Sequence, residues 1–236
     1  MNCSNLTGET PLYVACELGH IAIVDVLLKA SENKFSCEDT GFTLLFVACK
    51  NVNTTVVETL ASTHIEINRT NQSGVTPLYI ASQEGHLAVV EVLLEYNADA
   101  NYANDGGYIP LYIASLQGHT SVVKLRLGKC SDVNKAFYKG ATALYIASQE
   151  GNIALASSLL DSEADINKSD ETGTSPLYIA CQNGHKEVAE LLLHHNADIN
   201  KSTAGGASPY IACQKNNPDI NKSTEGGASP YSLPEK

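Results

Sequence analysis

One aromatic position recurs along this chain at Tyr13, Phe46, Tyr79, Tyr112, Tyr145 and Tyr178, and every step is 33 residues. The flanking text travels with it: TPLYVACELGH, TLLFVACKNVN, TPLYIASQEGH, IPLYIASLQGH, TALYIASQEGN and SPLYIACQNGH. Gly41, Gly74, Gly107, Gly140, Gly173 and Gly206 form a second ladder at the same step. A fixed period of this length constrains the fold more than any single motif. Each unit is one supersecondary element that cannot bury its apolar side alone, so neighbours must stack.

The third unit can be read letter by letter. Thr76 is placed to cap a helix, because its hydroxyl can accept from an exposed amide of the first turn. Pro77 follows at the first helical position, where a missing N–H is harmless. Leu78, Ala81 and Ser82 fall on one helical face, and Gly85 supplies the positive φ that ends the helix. A second helix is predicted from Leu87, with Val89, Val90, Leu93 and Leu94 facing inward. Asn97 stops it, ADAN opens an exposed turn, and Gly107 lets the chain reverse. Neither helix is long enough to be stable by itself. Burying each Leu or Val contributes roughly 1.5–3 kcal/mol, so stability requires about three stacked units. The six full units exceed that number.

Cysteine spacing belongs to the same period. Cys16, Cys49 and Cys181 share one place in the unit with Ser82, Ser115 and Ser148, so the place asks for a small residue. An odd total of seven and this exchange with serine predict unbridged thiols and a reducing compartment. The net charge of -11 disfavours a nucleic-acid backbone or an anionic membrane as partner. No apolar run approaches the roughly 18 residues of a membrane helix. The opening MNCSNLTGETPL has no basic stretch leading into an apolar one, so no secretory signal is expected. The expected location is intracellular, cytoplasmic or nuclear, and the expected state is a monomer.

A 33-residue turn–helix–helix unit with T-P-L at the first helix and G-H between the helices resembles the ankyrin repeat. The matching residues are Thr10-Pro11-Leu12, Thr76-Pro77-Leu78, Pro110-Leu111 and Ser175-Pro176-Leu177, with Gly19-His20, Gly85-His86, Gly118-His119 and Gly184-His185. The resemblance spans about residues 5–213. It implies an all-α solenoid of stacked helix–turn–helix units with protruding turns or short β-hairpins. Where the family has a hydrogen-bonding histidine this chain has Tyr or Phe, so a tyrosine hydroxyl is expected in that role, which Phe46 cannot fill. Val52-Asn53 replaces Gly-His in the second unit and predicts a compromised inter-helix turn. Arg126 replaces a core leucine (Leu93, Leu159 and Leu192 elsewhere), and its stem is expected to cover apolar surface while its head reaches water. Beyond the sixth unit the period drops from 33 to 21: DINKST at Asp198 recurs at Asp219, and GGASPY at Gly205 recurs at Gly226. We therefore expect an array over 1–213, six full units and a degenerate seventh, and a poorly ordered tail over 214–236.

The chain offers little chemistry. His20, His86, His119 and His185 occupy one place in successive units. Packed helices lie about 8–10 Å apart, too far for side chains at equivalent positions to share a zinc ion with bonds near 2 Å. His194-His195 ends a helix, an ordinary place for a cationic residue. Asn68-Arg69-Thr70 and Asn167-Lys168-Ser169 match the glycosylation pattern in exposed turns, but with no secretory route expected they are read as composition. There is no phosphate loop, dinucleotide fingerprint or nucleophile–base pair, and the carboxylates Asp170-Glu171 lie on an exposed turn. No catalytic residue, metal or cofactor is predicted.

What remains is binding. The resemblance implies a concave groove built from turn tips and first helices, whose partner the fold does not name. Comparing the units with each other separates repeated framework positions from variable ones. The variable exposed set includes Phe42, Val75, Glu84, Gln117, Gln149 and Glu150. Tyr102, Tyr108, Leu116, Phe137 and Tyr138 add large apolar or aromatic side chains around the third to fifth units, as at an interaction hot spot. The expected function is non-catalytic protein–protein binding. The alternatives are a recruiting or regulatory subunit of a larger enzyme complex, which calls for an added docking module, and a decayed array with no specific partner.

Overall fold

Thr76 caps its helix as its position predicts: its hydroxyl accepts from the Tyr79 amide at 3.1 Å. Thr10, Thr142 and Ser175 do the same for Tyr13, Tyr145 and Tyr178, each at 3.2 Å. In the computed structural model, which describes residues 9–30, 44–63, 65–128, 132–209 and 212, these caps open the first helix of successive helix pairs. The pairs are α1 (Pro11–Glu17) with α2 (Ile21–Ala30), α3 (Leu44–Lys50) with α4 (Thr54–Ala61), and α5 (Pro77–Gln83) with α6 (Leu87–Glu95). They continue as α7 (Pro110–Leu116) with α8 (Thr120–Gly128), α9 (Ala143–Gln149) with α10 (Ile153–Asp161), and α11 (Pro176–Asn183) with α12 (Lys186–His194). A single 3-10 turn covers Tyr138–Gly140, and no strand forms among the described residues. The chain divides into two compact units, Met1–Ser131 and Asp132–Lys236. Among the described residues the first holds four helix pairs and the second holds two. The degenerate seventh unit is described over 200–209 and at 212, where Thr203 N bonds to Ala207 O at 2.8 Å and Ala212 N to Ser208 O at 3.2 Å; residues 210, 211 and 213–236 lie outside the described residues.

Within a pair, the inter-helix turn needs one left-handed residue. Gly85 takes φ +75 and Gly184 takes φ +79, conformations that cost a side-chain-bearing residue about 1–2 kcal/mol. The second pair has Val52 at φ +61, and the turn nevertheless closes. The Asn53 amide bonds to Ala48 O at 3.1 Å, as the His86 amide bonds to Ala81 O at 2.9 Å. The Asn53 side chain also donates to Cys16 O at 2.8 Å and Glu17 O at 3.0 Å. His86, His119 and His185 make equivalent ring contacts to the carbonyls of Lys50, Gln83 and Gln149 at 3.1, 2.8 and 2.9 Å. The compromised turn expected at Val52-Asn53 is therefore an intact one, because a shorter amide side chain makes the cross-repeat bond.

The core is a ladder of leucines. Leu60 and Leu93 in the first unit, and Leu159 and Leu192 in the second, have no exposed surface. Arg126 stands at the same place and is only 3% exposed. Its head is almost entirely buried, where the flexible stem led to the expectation of a head in water. Nη2 donates to Ala100 O at 3.2 Å, while Nε has no hydrogen-bond partner. Burial lowers the guanidinium pKa, and the charge of Asp99 pulls the other way.

The small-residue position explains itself in part. Ser82, Ser115 and Ser148 donate to the carbonyls four residues back, those of Leu78, Leu111 and Leu144, at 2.7, 2.8 and 2.7 Å. A serine buried there is satisfied by its own helix. Cys16 and Cys49 are free and buried, and burial pushes the Cys16 thiol up to about 12. Cys181 is disulfide-bonded, which corrects the expectation of unbridged thiols throughout. Exchange with serine requires only a small residue and does not forbid a bridge.

Candidate functional site

Between helix pairs the chain projects as a finger, and three of the described fingers are held by an Asn or Asp side chain, while Phe137 takes that place in the finger before α9. Asn104 Oδ1 accepts from the Gly106 and Tyr108 amides, both at 3.0 Å. Asn71 serves Ser73 and Val75 in the same way, and Asp170 serves Thr172 and Thr174. Each described finger is closed by a backbone bond across its neck, such as Asn104 N to Tyr108 O at 3.0 Å. These necks are tight turns, the form taken by the expected hairpins.

Neighbouring fingers inside a unit are stitched together. Asn68 Oδ1 accepts from the Asp99 amide at 2.8 Å in the first unit. Asn134 and Asn167 accept from Asp165 and Asp198 at 2.6 and 2.9 Å in the second. Asn68 and Asn167, the asparagines of two glycosylation-like triplets, thus have structural work. Backbone bonds run from Asp105 N to Ser73 O, Glu171 N to Lys139 O and Ala204 N to Thr172 O. Asp170 also takes a hydrogen bond from the Tyr145 hydroxyl. Tyr145 is pushed up to about 12 by burial, then by the Asp170 charge and that bond. Tyrosine thus acts as a cross-finger hydrogen-bonding residue at this position of the aromatic ladder.

The finger-tip and first-helix side chains that vary between repeats differ in exposure. In the first unit, Glu84 is exposed at the end of α5 and accepts from Gln83 Nε2 at 3.2 Å. Val75 is half-buried, Tyr102 is 39% exposed, and Gln117 is exposed beyond α7. Tyr108 stacks on Tyr112 with ring centroids 4.6 Å apart and planes 22° from parallel. Leu116 lies one helical turn beyond Tyr112 on the same side of α7, and all three are half-buried. In the second unit, Gln149 and Glu150 bond to each other at 2.8 Å at the end of α9. Phe137 is buried at 9% exposure and is part of the finger's packing. The side chain of Tyr138, like all of Phe42, falls outside the described residues.

Tyr112, which stacks on Tyr108, lay outside the variable set read from the sequence. Its membership of the 33-residue ladder marked it as framework, and only its four-residue spacing from Leu116 tied it to the variable set. Ile23 and Val26 of α2, exposed at 50% and 65%, also lay outside that set. Val56 and Val89, one and two periods beyond Ile23, are buried. Among the described residues no group of His, Cys, Asp and Glu could hold a metal ion, and no helix is long and apolar enough to cross a membrane.

Helix pairs joined by stitched fingers, repeated with one period, define a tandem-repeat protein of the all-α class. The family described as ankyrin repeats, in three copies, matches residues 1–71, 56–135 and 111–203, and the chain belongs to that family. No curated protein matches by sequence. Among solved structures, the fold is similar to the ankyrin repeat domain of Bcl-3, a member of the IkappaB protein family. That likeness has TM-score 0.78 at 21% identity, covering 87% of this chain and 94% of that one. It is also similar to the human ASB11 ankyrin repeat domain, with TM-score 0.76 at 23% identity, covering 86% and 91%. Ankyrin repeats are protein–protein interaction modules.

Proposed function

We propose that the chain binds a protein partner, without catalysis, through the finger tips and first-helix ends of its repeats. The contact residues are Val75, Glu84, Tyr102, Tyr108, Leu116 and Gln117 in the first unit, and Tyr138, Gln149 and Glu150 in the second. Phe42 belongs to the set by its place in the period, and Phe137 supports it from beneath. The observation that carries this reading is the division of labour in the fingers. Asn and Asp side chains saturate the backbone, as Asn104 does for Gly106 and Tyr108, while large amphipathic side chains are left at the surface beside them. Such residues supply most of the affinity at protein interfaces. In this reading the chain works as an intracellular monomer.

The test replaces Tyr108, Leu116 and Tyr138 together with Ala and compares affinity purification with the unaltered chain, identifying captured proteins by mass spectrometry. The variant keeps its helical circular dichroism and loses the partner. Undiminished capture of the same partner by the folded variant would overturn the proposal.

A further inference from the structure

Between Arg69 and Lys124 the chain has no lysine or arginine, yet it carries Glu84, Glu91, Glu95, Asp99 and Asp105. This stretch of one sign covers α5, α6, α7 and the finger between α6 and α7. It contains the Tyr108–Tyr112 stack, so aromatic surface and negative charge coincide in the same two repeats.

The geometry gives the strip an order. Asp105 sits at the finger tip, exposed, with its carboxylate lying over Gly74: a Cβ built on Gly74 would come within 2.4 Å of Asp105 Oδ1. The Tyr108 ring lies against Gly106, where an added Cβ would meet Cε2 at 2.8 Å. Tyr112 stacks under Tyr108, and Leu116 continues along α7. At the far end the His119 ring covers Gly85 and contacts Gln83 O at 2.8 Å, which brings the end of α7 beside Glu84. Tyr79, on α5, has its pKa raised by burial and then by Tyr112 and Tyr108, so the three phenols are close neighbours. The order is carboxylate, two stacked tyrosines, leucine, carboxylate.

We propose that this strip receives an extended segment of a partner protein with a basic side chain at each end and an apolar side chain between them. The inference rests on the protein-binding reading above and adds the partner's chemistry. Opposite charge favours encounter and register, and tyrosine faces attract Lys and Arg cations. The seven residues of α7 run about 10 Å. An extended chain advances about 3.3 Å per residue, so α7 alone matches about three residues; Asp105 lies beyond its first residue, which sets the two basic residues about four positions apart.

The experiment titrates three synthetic nine-residue peptides into the full chain by fluorescence anisotropy. The peptides share a central Leu and differ only at the positions two before and two after it, which are both Lys, both Gln or both Glu. The Lys peptide binds about tenfold tighter than the Gln peptide at low salt, the Glu peptide binds weakest, and the preference shrinks at about 0.5 M salt. The double variant Glu84→Gln with Asp105→Asn removes the Lys preference. The double variant Tyr108→Ala with Leu116→Ala weakens all three peptides while helical circular dichroism holds. Equal binding of Lys and Gln peptides, or no binding of any of them, overturns the inference. If charge preference is absent but binding still depends on Tyr108 and Leu116, the basic partner falls and the protein-binding face stands. If the Lys peptide binds the Tyr108/Leu116 variant undiminished, the face itself is wrong.

Discussion

The third repeat and its two neighbours differ in how they meet the same framework. The third has Gly85 in its turn and Leu93 in its core. The second has Val52-Asn53 in the turn, and the fourth has Arg126 in the core. The turn irregularity is compensated, since Asn53 reaches two carbonyls of the first repeat. The core irregularity is only half compensated, with one bond to Ala100 O and an orphaned Nε. The difference follows from what surrounds each position. A turn offers unpaired backbone carbonyls to any donor of about the right length. A leucine slot offers only carbon and, at its rim, the one carbonyl that Arg126 reaches.

The largest effect comes from damaging the regular repeat. Leu93→Ala removes a fully buried side chain and lowers unfolding free energy by about 2–5 kcal/mol, measured by urea denaturation with circular dichroism. Restoring the irregular core acts in the opposite direction. Arg126→Leu raises stability by about 1–4 kcal/mol in the same assay. A loss of stability instead would mean that the Ala100 bond and the Asp99 charge outweigh burial, and that the two repeats are equally well built.

A third contrast separates the cysteine repeats from the serine repeats. The buried Cys16 thiol is neutral, with its pKa raised from 9.0 to about 12, and Cys49 shifts in the same direction. A raised pKa means the unfolded chain loses its proton first. Stability is fully present below pH 9 and falls as pH rises toward 12. The slope is about 1.4 kcal/mol per pH unit for each thiol. Ser82 and Ser115 do not titrate in this range. The double variant Cys16→Ser with Cys49→Ser flattens the decline between pH 9 and 12, and a slope equal to the parent's would refute the assignment.

Most of the framework was legible in sequence because it is local and repeated. Thr76, Pro77 and Gly85 specify a helix's start and stop within ten residues, and the third repeat folds between those bounds. What escaped depends on partners a period away. Asn53 replaces a histidine only because the carbonyls of Cys16 and Glu17 come within its reach. The period sets Arg126 at a core leucine place, but nothing local states that its head is buried there as well. Tyr112 belongs to the framework ladder and to the surface at once, because Tyr108 stacks on it from the finger.

The compensation at the second turn can be removed directly. Asn53→Ala deletes both donors to the first repeat and costs about 1–2 kcal/mol. Asn53→His, which copies the third repeat, recovers most of that loss. Failure of histidine to rescue would show that the shorter side chain is specific to this turn.

The smallest effect is at Val52, and it sharpens the comparison most. A β-branched residue at φ +61 carries about 1–2 kcal/mol of strain. Val52→Gly removes that strain while giving the unfolded chain more freedom, a loss of about 0.4–1 kcal/mol. Val52 is 52% exposed, so little buried surface is forfeited. The net gain is therefore about 0.5–1 kcal/mol. The third repeat supplies the control, because Gly85→Val must lose stability. There an added Cβ would meet the His119 ring at 2.5 Å, whereas at Val52 the ring of His86 already sits 3.1 Å from Lys50 O with the valine in place. Opposite signs for these two reciprocal substitutions would establish that the second turn tolerates valine at a cost. Equal and neutral effects would mean that turn geometry, and not the glycine, sets the inter-helix turn.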